Sequence, residues 1–297
     1  MDFLESYKKA GKIASQSREN ARKKNHVGSS LFDICENIEN EIRQNGGQPA
    51  FPVNVSLNNI AAHYTAEPSD TTIVNDGDVL KIDIGVHING YIADTAVTVC
   101  YNSEYDALVK ATEHTLCEAL KITRTSTKSG DIGKIIENTI SNYGFLPIKN
   151  LSGHSLEQYT IHAGKSIPNI DSFGSFKLES NQAYAIEPFV TLKEGLGIVH
   201  EGKIANIFAL VSRKPTKDKK TDQCLNLIWN RFKSLPFALR WILNEYEENE
   251  AREMFNILRK RKNIHAYPIL VEGNGKMVAQ AEHTIIPNET GVDVITL

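Results

Sequence analysis

The sequence predicts an α+β fold, a strand-rich domain carrying an inserted helical block. Three observations support this. Residues 78–99, DVLKIDIGVHINGYIADTAVTV, form two β-rich runs around Asn89-Gly90, the strongest short hairpin signal in the chain. Amphipathic helical spacing recurs on both sides of that hairpin. After a polar, basic stretch at 213–222, the helical block at about 222–262 holds enough apolar residues for a small core of its own, among them Ile228, Trp229, Phe237, Trp241 and Phe255. The expected division is therefore a main domain of residues 1–212 and 263–297, with 213–262 inserted.

The elements follow in order. Phe3, Leu4, Tyr7, Ala10, Ile13 and Ala14 recur at helical spacing, which predicts an amphipathic helix over 3–24. A second helix starts near Ser30, where Ser30-x-x-Asp33 resembles a capping box, and stops at Gly46-Gly47. Residues 48–75 read as irregular. Beyond the hairpin, helices are expected at about 103–123, capped by Ser103, and at 130–143, ended by Gly144 and Pro147. NLSGHSLEQYTIHAGKSIPNI reads as loop with short strands, and QAYAIEPFVTL and GKIANIFALV read as strands. After the helical block come the strands AYPILVEG, KMVAQAEHTIIP and VDVITL. One faint repeat links NDGDVLKIDIGV, which places Asp83 late in its strand, to ESNQAYAIEPFV, which does the same with Glu187. Chance explains such a match, and so do two related halves facing each other across a site.

Composition narrows the function classes. At 297 residues the chain is long enough for a sizeable core, and 41% hydrophobic with 23% charged residues is ordinary globular composition. Lys and Arg total 33 against 36 Asp and Glu, a net charge of −3, which argues against a protein built mainly to coat nucleic acid. Cys35, Cys100, Cys117 and Cys224 form no CxxC pair and are too few for a disulfide scaffold, so a reducing compartment is expected. No secretory signal and no apolar run of about 18 residues is visible, so the expectation is a soluble cytoplasmic protein.

Asp83 and Asp94 each interrupt an apolar strand, where a charge is costly unless paired, hydrogen-bonded or bound to a metal. A two-residue turn at Asn89-Gly90 pairs Ile88 with Tyr91 and sets Asp83 opposite Ala96. Side chains alternate, so Asp94 shares a face with Ala96, and the two aspartates become diagonal neighbours roughly 7–8 Å apart. Two like charges so placed call for a cation if buried; on a solvated hairpin face they call for nothing. His154 in a Gly153-His154-Ser155 loop, Glu187 inside AYAIEPFV and Glu282 inside VAQAEHTII extend the set. Four carboxylates and one imidazole offer enough donors for two divalent ions, and the mixture suits Mn, Fe, Co or Zn without choosing among them. His63 and His162 alone read as loop histidines. His283, next to Glu282, points to the opposite strand face.

These residues resemble a known family. SLNNIAAHYT, KIDIGVHINGYIADTAVTV, GHSLEQYTIHAGKSIPNI, YAIEPF and VEGNGKMVAQAEHT look like the type II methionine aminopeptidases, in order over nearly the whole chain. The block containing SLPFALRW resembles the type II insertion, and the short N-terminus looks like the archaeal form. The resemblance implies a pita-bread fold, two pseudo-symmetric α+β halves around a curved antiparallel sheet with a dinuclear metal site between them. It implies the metal ligands Asp83, Asp94, His154, Glu187 and Glu282, and substrate-contacting histidines at His63 and His162. It also implies a methionine pocket lined by Phe51, Ile161 and Tyr267. Two departures stand out: EGKIANIFAL lacks a further pocket histidine, which makes Ile207 a candidate wall, and Ala281 replaces a common aromatic.

The implied activity is removal of N-terminal methionine from nascent chains when the second residue is small. Glu187 would be the general base, His162 would stabilise the oxyanion, and His63 would bind the scissile amide or the next residue. A monomer with two divalent ions, no membrane contact and at most transient contact with the ribosome is expected. The rivals are a binding module of the same fold, a proline-specific peptidase, which usually carries a large N-terminal domain, and nucleic-acid binding through Arg213–Lys220. A solvated loop accounts for that basic run more simply.

Overall fold

A computed structural model describes residues 2–172 and 174–297. In chain order it runs α1 (Phe3–Lys23), α2 (Leu31–Gln44), β1 (Gln48–Pro49), β2 (Asn54–Leu57), β3 (Ile60–Ala62), β4 (Val79–Ile88) and β5 (Tyr91–Cys100). Then come α3 (Asp106–Ile122), α4 (Ser129–Asn142), β6 (Leu146–Pro147), β7 (Ser152–Leu156), β8 (Ser166–Pro168), β9 (Ala183–Ile186) and β10 (Phe189–Thr191). The remainder is β11 (Val199–Glu201), β12 (Ile207–Leu210), α5 (Lys219–Phe232), β13 (Phe237–Ala238), α6 (Glu248–Lys260), β14 (Ile264–Tyr267), β15 (Leu270–Glu272), β16 (Val278–Gln280), β17 (Glu282–Pro287) and β18 (Val292–Val294).

The frame is a nine-stranded sheet in the order β1-β4-β5-β17-β9-β7-β8, with β2 on β4 and β18 on β17, and every pairing is antiparallel. The hairpin closes at Asn89 (φ 51°) and Gly90 (φ 87°), two positive φ values in succession, and this sets Ile88 opposite Tyr91 and Asp83 opposite Ala96.

Helices α1–α4 cover one face of this sheet. Leu80, Ile82, Ile84, Val86 and Ile88 of β4 form a core with Ile34, Ile38 and Ile42 of α2 and Ala10 and Ile13 of α1. Tyr184 and Ile186 of β9 and Ile285 of β17 form a second core with Leu116 of α3 and Ile132, Ile136 and Ile140 of α4. Each buried aliphatic side chain contributes about 1.5–3 kcal/mol. The alternate residues, including Asp83, Asp94, Ala185 and Glu282, therefore look out from the opposite face. Ser30 caps α2 by accepting from Asp33 N–H at 3.0 Å.

Several expected boundaries move. Residues 48–75, read as irregular, contain β1, β2 and β3; all three are short and form by pairing with β4 or β15 rather than by a pattern of their own. Ser103 is not the helix cap. Asn102 accepts from Glu104 N–H at 3.1 Å and opens a 3₁₀ turn ahead of α3. His154, read as a loop residue, lies on β7 because that segment pairs with β9 and β8 on either side. Glu187 lies between β9 and β10 and not within one strand, because Pro188 has no N–H for a ladder. The run KMVAQAEHTIIP is likewise two strands on two sheets, parted at Ala281. The helical block opens at Lys219, and a stretch containing Pro236 and β13 separates α5 from α6.

Candidate metal centre

Sheet register brings the candidate ligands together. Asp83 is level with Ala96, and Ala96 with Glu282. His283 pairs with Ile186, so Glu187, next in the chain, comes level with Glu282. One row across the sheet thus reads Asp83, Ala96, Glu282, Glu187. Two residues along each strand, Asp94 pairs with Gly85, Thr284 with Ala185 and Ala185 with His154. Within this second row Thr284 ties β17 to β5, donating to the Asp94 carbonyl and accepting from its N–H, both at 2.7 Å. Two adjacent rows on one face therefore carry four carboxylates and one imidazole.

The five side chains are packed tightly and poorly satisfied. One ligand atom each from Asp94, His154 and Glu282 lie within 4.8 Å of one another. His154 Nε2 is 3.4 Å from Glu187 Oε1 and 3.7 Å from Asp94 Oδ2. Asp83 Oδ1, Asp94 Oδ1, His154 Nδ1 and Glu282 Oε2 are buried with no hydrogen-bond partner among the described residues. Burial pushes the Asp83 carboxyl up to about 7. Burial, reinforced by the neighbouring carboxylates, pushes Asp94, Glu187 and Glu282 well above the usual range, and burial holds His154 down to about 3. Four acids raised together, three of them with an unpartnered buried oxygen, leave a deficit of positive charge, which divalent cations on O and N donors would fill. The residues present fit that group.

A cavity of about 340 Å³ opens from this centre. All ten residues singled out in the sequence line it: Phe51, His63, Asp83, Asp94, His154, Ile161, His162, Glu187, Tyr267 and Glu282. Ile207 lines it too, and Ala281 does not. Phe51 reaches the site because Gly85 has no side chain; a Cβ there would lie 2.2 Å from the Phe51 ring. Phe51, Ile161, Ile92 and Leu235 form one apolar cluster at the cavity wall.

The two histidines outside the ligand set have defined surroundings. His63 takes φ 65° and sits edge-on to Tyr267, ring centroids 5.7 Å apart. Its Nδ1 is 3.3 Å from the Pro268 carbonyl, which can only accept, so Nδ1 carries the proton and Nε2 is left as an acceptor. Burial and the neighbouring His162 hold the His63 imidazole down to about 4. The His162 ring stands edge-on to that of His154 at 4.6 Å and is exposed to the cleft. Asn54, Asn150, Pro236 and Leu270 line the cavity without having been foreseen. Gln280, also unforeseen, places Nε2 3.5 Å from Glu187 Oε2. Register alone could have found Asn54, which pairs with Asp83.

Comparison with known proteins gives a consistent picture. The model of metallopeptidase family M24 matches residues 5–207. The methionine aminopeptidase of Methanocaldococcus jannaschii is 42% identical over 296 residues, covering 99% of each chain. Among solved structures, a thermophilic Arx1 superposes with a TM-score of 0.84 at 18% identity, covering 99% of this chain and 90% of that one. The methionine aminopeptidase of Thermotoga maritima gives 0.71 at 22% identity, covering 99% and 96%. These structures share the pita-bread fold with this chain.

Proposed function

This chain belongs to metallopeptidase family M24 and, within it, to the archaeal-type methionine aminopeptidases, and on that premise we propose that the carboxylate-lined cleft is where it works. Its activity is metal-dependent hydrolytic removal of an N-terminal methionine. The assignment of residues rests on one observation above the others: two neighbouring rows of one sheet gather five ligand-type side chains, four of which keep a buried polar atom without a partner among the described residues.

In this reading Asp83, Asp94, His154, Glu187 and Glu282 hold two divalent ions. Bound there, the ions supply Lewis acidity, making a water nucleophilic near neutral pH and polarising the first carbonyl. Glu187 takes the proton of the attacking water and returns it to the leaving amine. His162, open to the cleft, donates a hydrogen bond to the developing oxyanion. His63, with Nε2 free to accept, binds the N–H of the scissile amide or of the next residue. The substrate's free α-amine would bind beside the ions, which would limit cleavage to one residue at a time. Phe51, Ile161, Tyr267 and Ile207 make an apolar, aromatic-walled pocket suited to a flexible thioether side chain. A small second residue is expected where His63 and His162 line the cavity.

We read residues 213–262 as the inserted unit. Its core of Cys224, Ile228, Trp241 and Phe255 is built with strands β12 and β14, and it contributes Pro236 to the cleft. In the basic run, Arg213 stacks on Trp229 at 4.5 Å and Lys220 pairs with Glu250 at 2.7 Å, so two of its cations are engaged within the protein. Among the described residues no helix is long and apolar enough to cross a membrane.

The direct test is release of free methionine from Met-Ala-Ser and Met-Leu-Ser by chelated protein, before and after adding Co, Mn, Fe or Zn. Release from the first peptide that depends on metal, with little from the second, is expected. A folded protein inactive with every metal would sink the reading. A second test concerns the pocket. Gly85→Ala drives a methyl group into the Phe51 ring and the ring into the cavity. It is expected to raise KM for Met-Ala-Ser by about tenfold or more, with metal affinity measured by calorimetry unchanged.

A further inference from the structure

A closed ring of hydrogen bonds ties the inserted segment to the cleft. The Glu39 carboxylate, on α2, is wholly buried, and the Arg240 side chain is nearly so. Glu39 Oε1 accepts from the Val53 N–H at 3.0 Å and from the Arg240 guanidinium, while Oε2 accepts from Trp241 Nε1–H at 2.5 Å. Arg240 Nη1 also donates to Thr65 Oγ1 at 3.1 Å, and Nε donates to Glu36 Oε1 at 3.1 Å. Thr65 donates onward to the Val53 carbonyl at 2.8 Å. The circuit Arg240, Glu39, Val53, Thr65 and back to Arg240 is therefore complete. It joins α2, the inserted segment and the two stretches that supply the cleft wall. Val53 lies two residues from Phe51, and Thr65 two residues from His63.

Stability alone does not account for charges at this place. Taking each ion out of water costs several kcal/mol, and a well-packed apolar pair of similar volume often holds such a junction as firmly. A salt-linked ring adds direction. Each bond of the ring is directional, so the Phe51 and His63 stretches are fixed relative to each other and to the inserted segment. A planar fork can serve Glu36, Glu39 and Thr65 at once; a lysine ammonium on a flexible stem cannot. We propose that the Glu39–Arg240 pair is a positioning device that sets the place of His63 in the cleft, through Thr65. This rests on reading the cleft as the aminopeptidase site.

The test compares Arg240→Lys with Arg252→Lys, a control that loses only more exposed pairs to Glu67 and Glu248. Spectra of protein carrying ¹⁵N-labelled histidine report the His63 ring without any turnover. Arg240→Lys is expected to shift the His63 resonance, and the control is not. It is also expected to lower kcat on Met-Ala-Ser about tenfold with KM and Mn²⁺ affinity nearly unchanged. In a His63→Ala background Arg240→Lys should then cost nothing more, the non-additivity of two residues acting through one. A His63 resonance that stays in place, or losses that simply add, overturns the proposal. If Arg240→Lys does not fold, Glu39→Gln, which keeps the volume and one acceptor, is put through the same measurements with the same criteria. Wild-type protein that releases no methionine would sink the aminopeptidase reading instead, and the resonance would still decide the positioning claim.

Discussion

Glu187→Ala is expected nearly to abolish methionine release, and Glu187→Gln to lower kcat by about 10²–10⁴, the range set by loss of a general base. Glu187 sits at the break between β9 and β10, free of the ladder because Pro188 follows it, and level with Glu282 across the sheet. Its Oε1 faces His154 at 3.4 Å and its Oε2 faces Gln280 at 3.5 Å, so it borders both the ligand cluster and the cavity. Glutamine keeps the length and one oxygen donor but cannot take a proton. Calorimetry with Mn²⁺ separates the two roles assigned to Glu187. Two ions bound with turnover lost means the base is the larger role; one ion bound means the ligand role is. Full activity in either variant removes Glu187 from the mechanism.

Parts of this centre were legible in the sequence and parts were not, for physical reasons. The Asn89-Gly90 turn determines its own register, so the placement of Asp83 against Ala96 needed no tertiary information. Acidic residues within apolar strands are likewise a local signal. His154 was misplaced to a loop because a Gly-His-Ser run has low strand propensity; only its pairing with β8 and β9 makes it a strand. β2 and β3 escaped for the same reason. Phe51, Ile161 and Tyr267 carry no signal of their own, and only the family resemblance pointed to them. Glu39 and Arg240 escaped entirely. Glu39 borders the stripe of Cys35, Ile38 and Ile42 on α2, where a charge ordinarily reads as solvated surface, and its partner lies 201 positions away.

Asp94→Asn is expected to remove metal affinity and at the same time to stabilise the metal-free protein. Asp94 is buried, and that burial, with the neighbouring Asp83 and Glu187, raises its carboxyl. The metal-free protein holds carboxylates that repel one another in a buried site, a cost that bound cations would relieve. Removing one of them should raise metal-free stability by about 2 kcal/mol at pH 8, an increase of about 4 °C in Tm for a chain of this size. The pH dependence gives a second signature. An acid whose folded pKa exceeds its unfolded value makes the folded state bind more protons, so stability falls as pH rises from the unfolded to the folded value. For Asp83 that window runs from 3.8 to about 7, and the other three acids extend it upward. The buried histidines act in the opposite sense. His63, held to about 4, and His154, held to about 3, gain stability as pH rises, and that gain is complete above the ordinary 6.5. Above pH 6.5 the histidine gain is complete, but the buried Lys81 ammonium, pushed well below its usual range by burial, adds stability as pH rises in wild type and variant alike, so the acids are read from the difference between the two. In melts of chelated protein from pH 6.5 to 9 the Tm advantage of Asp94→Asn over wild type should therefore widen as pH rises. Saturating Mn²⁺ at about 100 times its Kd should restore roughly 2.7 kcal/mol per bound ion to wild type and nothing to the variant. A variant less stable than chelated wild type at pH 8 would show that Asp94 is held by bonds within the protein, and would take away the argument that its carboxylate exists to meet a cation.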